Sequence, residues 1–453
     1  MSTLDRGKFN SRFGFILAAA GSAIGLGNIW RFPYTAGTHG GGAWVIMYIG
    51  FVFLIGVPVL FAELSIGNST QTSPVTAFKK LVPNSWWPAL GGLGVLTGFG
   101  ILSFYSVIAG LTAMYAGFAI GGKFGGIDIA QSGEIFGQIV ASPVWMIGVS
   151  FGFLLVTALV VRKGIGGGIE KAATWLMPIL FVFLLILVAR ALTLPTAGEG
   201  LAFMFKPQLD EISFQGIVSA LGQALFSLSL GMGAMITYGS YLPKEENLPA
   251  SAMTIAVFDT CIAILAGLVI FPALFLVGAE PDKGPGLIFV VMGGIFDAMP
   301  ASNLMAFIFY GLLSIAALTS TISLLEVIVA YLVDERGWRR ERATWAVASS
   351  CFALAVPSAL SLGASASLSR ITEKKGFLDI VDMLCGTYFL TFGAMLICIF
   401  VGWKWGIKAA VAAIEHGGHK MPAVPVWGFL VRYVCPLAIF VLLIYGATQG
   451  ANW

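Results

Sequence analysis

The chain has 453 residues, of which 58% are hydrophobic and only 10% are charged, and its mean hydropathy is +0.91. A water-soluble globule of this size needs far more charge on its surface, so a soluble protein is excluded and a polytopic membrane protein is implied. The formal net charge of +3 decides little, because orientation depends on where Lys and Arg fall, and no nucleic-acid partner is expected.

The opening stretch MSTLDRGKFNSR is polar and no small-residue cleavage site follows it, so no removable leader is expected. Windows of about 19 residues place apolar spans at 13–36, 43–63, 90–120, 144–161 and 172–192. After the amphipathic connector GLAFMFKPQLDEI they resume at 216–241, 253–277, 303–333, 343–359, 377–403 and 426–447. The expected fold is an all-α polytopic membrane protein of roughly eleven transmembrane helices. With the amino terminus inside, Arg6, Lys8, Arg12, Lys79, Lys80, Arg162, Lys163, Arg336, Arg339, Arg340 and Arg342 face the cytoplasm, and about half as many basic residues remain outside. An odd number of spans then leaves the carboxyl terminus outside.

The first span, FGFILAAAGSAIGLGNIWRFPY, is long enough to cross a bilayer, yet Gly21, Gly25 and Gly27 fall at mid-depth, with Asn28 and Arg31 close behind. A helix broken there is tolerated only where its freed backbone groups face a protein-lined cavity, in which carbonyls can hold a cation and amides an anion. The sixth span repeats the pattern: in ALFSLSLGMGAMITYGSY, Gly231 and Gly233 lie beside Ser227 and Ser229. One glycine-rich helix alone fits close helix packing equally well. Two interrupted helices, each first in a group of five spans, point to a 5+5 inverted-repeat transporter with its site at the bilayer midplane.

The expected organisation is a cytoplasmic segment (1–12), a first five-helix repeat (13–193), an extracellular connector (194–215), a second repeat (216–403), a cytoplasmic loop (404–425) and an eleventh helix with an extracellular end (426–453). The five cysteines lie in apolar spans without CxxC spacing, which argues against disulfides and metal clusters. HGGGA at 39–43 and GVSFG at 148–152 mimic a serine hydrolase, but Ser150 sits mid-span rather than on a strand-to-helix elbow, so no enzyme is expected.

The string GSAIGLGNIWRFP, with GGGA after it, FSLSLGMGAMITYGSY in the sixth span and ALTSTISLLE in the eighth, closely resembles the neurotransmitter:sodium symporter family in its bacterial amino-acid-transporting branch. The resemblance covers nearly the whole chain and implies a ten-helix core with discontinuous first and sixth helices, in a bacterial inner membrane, as a monomer or weak oligomer. It implies two sodium sites. Ala23, Asn28, Ser227 and Asp259 match the first, completed by the substrate carboxylate. Gly21, Ile24, Ala316, Thr319 and Ser320 match the second. Mostly neutral oxygen donors suit a hard monovalent cation. Thr319 on its own fits equally well as a hydroxyl bonded to the preceding turn.

By the same resemblance the substrate contacts are Ala23, Leu26, Gly27, Ile101, Tyr105, Phe226, Ser227, Ser229, Met232, Ser320 and Leu324. Arg31 with Asp382 matches the outer gate, and Arg6 with Asp334 the inner gate, closed over by Tyr241. Biogenic-amine carriers bear an Asp at position 25. Here it is Gly25, so the substrate is expected to bring its own carboxylate, and Met232 in place of a Phe widens the range to aliphatic and aromatic amino acids.

Asp259 stands where the family usually has Asn, in the neighbourhood of Tyr48, Gln223, Ser227 and Ala263 that holds chloride in chloride-dependent relatives. A fixed carboxylate there replaces the anion, so chloride independence is expected. Once stripped of its sodium, that carboxylate is costly to keep charged and becomes a candidate proton carrier. Glu63 and Glu326 are expected at most to bond unwound backbone. Gly168 and Pro178 frame a G-x9-P spacing that loosens the start of the fifth span in the family, although an ordinary kink reads nearly as well. The expected function is sodium-coupled amino-acid symport by alternating access. A proton-coupled or exchange-type transporter of the same architecture stands as the alternative.

Overall fold

The computed structural model describes residues 7–279, 286–373 and 375–449. Among them there is no β-strand, as expected where each backbone amide in hydrocarbon must be satisfied within its own helix. Among the described residues nine helices are long and apolar enough to cross a bilayer: Gly42–Thr70, Pro88–Ile120, Pro143–Val161, Ile165–Ala191, Leu248–Leu276, Ser302–Arg336, Arg340–Leu360, Phe377–Gly417 and Val424–Thr448. These are spans 2 to 5 and 7 to 11. Span 1 is the pair Arg12–Ala23 and Gly27–Thr38, bent by 50°. Span 6 is the pair Phe214–Ser227 and Ala234–Gly239.

The two broken spans differ from the rest in backbone as well as length. Span 1 leaves the helix at Ile24, where ψ is 98°, and resumes in a wide π-helical turn at Gly27–Arg31. In span 6, Ser229, Gly231 and Gly233 take positive φ of 54°, 81° and 77°, a conformation that ends any right-handed helix. Spans 3 and 8 enclose these breaks, and span 8 is the most buried of the intact helices. Spans 4, 5 and 11 turn large apolar residues such as Trp145, Trp175, Phe181 and Leu437 outward, as a lipid-facing surface requires.

The connections carry structure of their own. Short helices lie at Pro74–Leu81, Ile129–Val140 and Ala197–Phe205, the second opened by a capping box of Asp128 and Gln131. The amphipathic connector at 194–215 and the loop at 404–425 both contain helix; Ile407–Ile414 follows a break at Gly406, whose φ is 94°.

Candidate functional site

The broken ends of spans 1 and 6 meet around a cavity of about 30 Å³. Its walls include Ala23, Gly27, Ile101, Tyr105, Phe226, Ser227, Ser229, Met232, Ser320 and Leu324, all expected as substrate contacts. Gly25, expected to shape the substrate choice, lines it too, as do Ser22 and Ser323, which the motifs did not single out. Leu26, also expected as a substrate contact, is not among the lining residues; its amide donates to Tyr105 Oη at 2.8 Å. The space holds about two waters, so a larger solute fits only when a wall moves. Met232, unbranched and flexible, is the wall best able to.

Position 25 is crowded. A Cβ on Gly25 would lie 2.7 Å from Ser320 Oγ and 2.8 Å from Tyr105 Oη, so a carboxylate-bearing side chain has no room there. Ser229 Oγ donates to the Ser22 carbonyl at 2.9 Å and Ser320 Oγ reaches the same carbonyl at 3.4 Å. Hydroxyls from spans 6 and 8 thus satisfy backbone that the broken helix cannot.

Beside the cavity lies a knot of fully buried polar groups. Asn28 Nδ2 donates to Asp259 Oδ1 at 2.7 Å and to Ser227 Oγ at 3.0 Å, while its Oδ1 accepts from the Gly25 amide at 3.1 Å. Ser227 Oγ lies 2.8 Å from both Asp259 oxygens, and Tyr48 Oη donates to Oδ2 at 3.2 Å. Asn28 and Asp259 are each 0% exposed. Three of the four residues expected at the first sodium site are therefore bonded together, and the fourth, Ala23, lines the adjoining cavity. Gln223 donates to the Gly27 carbonyl at 2.9 Å, and among the described residues its own oxygen has no hydrogen-bond partner.

For the second site, Gly21 abuts span 8: a Cβ there would lie 3.1 Å from the Thr319 Cβ and 3.0 Å from Met177 Sδ. Thr319 Oγ1 donates to the Ala316 carbonyl at 3.0 Å. Its proton is spent on the preceding turn, which leaves the oxygen lone pairs as the only chemistry it offers. Carbonyls and hydroxyls of this kind fit a monovalent cation.

At the expected outer gate the Arg31 guanidinium lies 4.9 Å from the Phe226 ring centroid, over the half-buried lid of the cavity. Arg6 lies outside the described residues. Asp334 accepts from the Ser73 amide at 2.6 Å. Tyr241 Oη donates to Glu326 Oε1 at 2.5 Å, and Glu326, expected at most to bond unwound backbone, is also ion-paired with Arg340. Glu63 does bond unwound backbone, accepting from the Gly231 amide at 2.6 Å. Phe9, unremarked in the sequence, packs edge-on against Phe15 and Tyr238.

Similarity to known proteins agrees with this architecture. The model of the "Sodium:neurotransmitter symporter family" matches residues 6–124 and 127–452. The sodium-dependent transporter YhdH of Bacillus subtilis is 39% identical over 96% of this chain and 96% of its own length. A sodium-dependent transporter of Haemophilus influenzae is 35% identical over 97% and 98%. The crystal structure of MhsT in complex with L-phenylalanine superposes with a TM-score of 0.90 at 40% identity, covering 97% of this chain and 99% of the other. An all-helical bundle with two broken spans around a polar midplane site, and relatives matched almost end to end, place this chain in the sodium:neurotransmitter symporter family, as a sodium-dependent membrane transporter rather than an enzyme.

Proposed function

We propose that the protein couples sodium entry to uptake of hydrophobic L-amino acids, aliphatic and aromatic, by alternating access across a bacterial inner membrane. The observation that carries this is the bonded set Asn28, Ser227 and Asp259 at the rim of a cavity formed by two broken helices. The helix ends offer backbone amides to a carboxylate and carbonyls to an ammonium, so a zwitterion is held without a permanent countercharge. Gly25, with no room for a carboxylate of its own, supports a substrate that brings one. The related MhsT was crystallised with L-phenylalanine, which agrees with a cavity walled by Ile101, Phe226, Met232 and Leu324.

Two sodium ions are assigned, one to Ala23, Asn28, Ser227 and Asp259 and one to Gly21, Ile24, Ala316, Thr319 and Ser320. Each ion moving down about 100 mV supplies about 2.3 kcal/mol, and each tenfold gradient about 1.4 kcal/mol more, so two ions sustain a substrate ratio of several decades. Asp259 serves as the fixed anion: Tyr48 and Ser227 donate to its carboxylate as they would to a bound halide, which makes chloride unnecessary and leaves a carboxylate able to carry a proton back. The amino terminus is cytoplasmic and the carboxyl terminus external. Arg31 and Phe226 cover the site from outside, with Asp382 nearby; Arg6, Asp334 and Tyr241 close it from inside.

Uptake of labelled amino acids into proteoliposomes, with sodium, chloride and pH varied one at a time, tests the reading. Accumulation is expected to require a sodium gradient, to persist when gluconate replaces chloride, and to be competed by leucine and phenylalanine. Uptake that follows a proton gradient and ignores sodium would select the proton-coupled alternative.

A further inference from the structure

We propose that Glu170 is a positioning residue that latches the start of span 1 to the start of span 5, its carboxylate gathering the donors of Asn10 and Ser11. The inference rests on the alternating-access reading above and names the contact that must part when the inner face opens.

Glu170 is 6% exposed, and among the described residues no Lys or Arg forms an ion pair with it. Its charge is answered by four donors from two consecutive residues. Asn10 supplies its amide at 2.7 Å and its Nδ2 at 2.9 Å to one oxygen; Ser11 supplies its amide at 3.1 Å and its hydroxyl at 2.9 Å to the other. Ser11 Oγ also accepts from the Gly14 amide at 2.9 Å, capping span 1. The carboxylate therefore stands at the positive end of a helix dipole and stabilises amides that the helix leaves unpaired. Gly14 faces the Glu170 side chain and Gly166 faces the Asn10 carboxamide, each so closely that a Cβ would collide.

The two sides of this contact differ in stiffness. Span 1 begins as a regular α-helix, whereas Glu170 ends the π-helical turn Ile165–Glu170, which contains Gly166, Gly167 and Gly168 and follows Gly164 at φ 87°. Three glycines in a widened turn make that support the more deformable partner. All four bonds converge on one carboxylate, so moving span 1 away breaks them together and leaves a buried charge that only entering water can solvate. Two turns further along span 1, Gly21 abuts Met177 of span 5 and Thr319 of span 8. Water admitted at the latch therefore heads toward the second sodium site.

The test uses the full-length protein in lipid nanodiscs, with hydrogen–deuterium exchange across residues 7–22 and sodium titration of labelled-phenylalanine binding. In saturating sodium, Glu170→Ala should speed exchange at residues 12–22 and raise the half-saturating sodium concentration about tenfold. Glu170→Gln, which keeps one acceptor, should fall between. Should Glu170→Ala fail to fold, Asn10→Ala and Ser11→Ala, which each remove part of the donor set, should move both readouts the same way by less. A lowered melting midpoint with exchange in this segment and sodium requirement unchanged would reduce Glu170 to a structural residue and overturn the latch. Absence of sodium-dependent binding in the wild type would instead overturn the transport reading, and the exchange data would still judge the latch.

Discussion

The two breaks at the centre of the molecule are held open by different means. In span 1 the gap Ile24–Leu26 contains no left-handed residue. It is supported by neutral side chains: Tyr105 and Asn28 accept from its amides, and Ser229 and Ser320 donate to the Ser22 carbonyl. In span 6 the gap Leu228–Gly233 contains three left-handed residues, and its Gly231 amide donates to the buried carboxyl group of Glu63. Gly231 also packs against the backbone of span 10 at Leu390, Ala394 and Gly393. Neutral oxygens can exchange a hydrogen bond for a cation at little cost, whereas strained backbone pinned by a buried carboxyl group and packed against span 10 cannot. The first break is thus suited to change partners during a cycle, and the second to hold still while it does.

That contrast can be broken experimentally. The largest effect is expected from Gly231→Ala, which adds a Cβ against the Leu390 carbonyl at a φ of 81°; a loss of about 3 kcal/mol or more, or failure to fold, should appear in the thermal melt. A variant that melts like the wild type would show that span 6 has slack. Asn28→Ala, at the adaptable break, should keep the fold yet weaken sodium-dependent substrate binding by about 10- to 100-fold, with Thr319→Ala at the lower end of that range. Sodium activation retained in both would contradict the ion-site assignment.

Asp259→Asn removes the acidic group proposed as the fixed anion while keeping the shape of the knot. The pH dependence of the return step, followed as efflux from preloaded proteoliposomes, should flatten, and an unchanged profile would remove the proton role. The smallest effect is expected from Met232→Phe, which stiffens the one flexible wall: competition by tryptophan should weaken several-fold relative to alanine, by about 1 kcal/mol. Equal competition would place the wall that yields elsewhere in the cavity.

Much of this arrangement was legible in the primary structure because hydrocarbon imposes simple rules. Long apolar runs located the spans, closely at 303–333 against the observed Ser302–Arg336 and short at 377–403 against Phe377–Gly417 and 43–63 against Gly42–Thr70, and glycine clusters located both breaks. Ten of the eleven residues expected from the family motifs do line one cavity. What escaped notice depends on contacts distant in sequence. Glu170 meets Asn10 across 160 positions, and Glu326 turns to Arg340 and Tyr241 rather than to unwound backbone because helix packing brings a cation within reach. Phe9 looked like part of a polar lead-in, yet is 5% exposed. The helix Ile129–Val140 was missed although Asp128 and Gln131 spell out its cap, because attention to hydropathy passes over elements lying outside the bilayer.

The crowding around Gly25 bears on how a carrier of this kind changes cargo. With Tyr105 Oη and Ser320 Oγ both within 2.8 Å of where a side chain would begin, a single Gly25→Asp replacement drives a carboxylate into two hydroxyls whose oxygens already serve neighbouring backbone. Conversion to a carboxylate-free amine therefore demands concerted remodelling of spans 3 and 8, and a lone mutation at this position should yield a blocked transporter before it yields a new specificity.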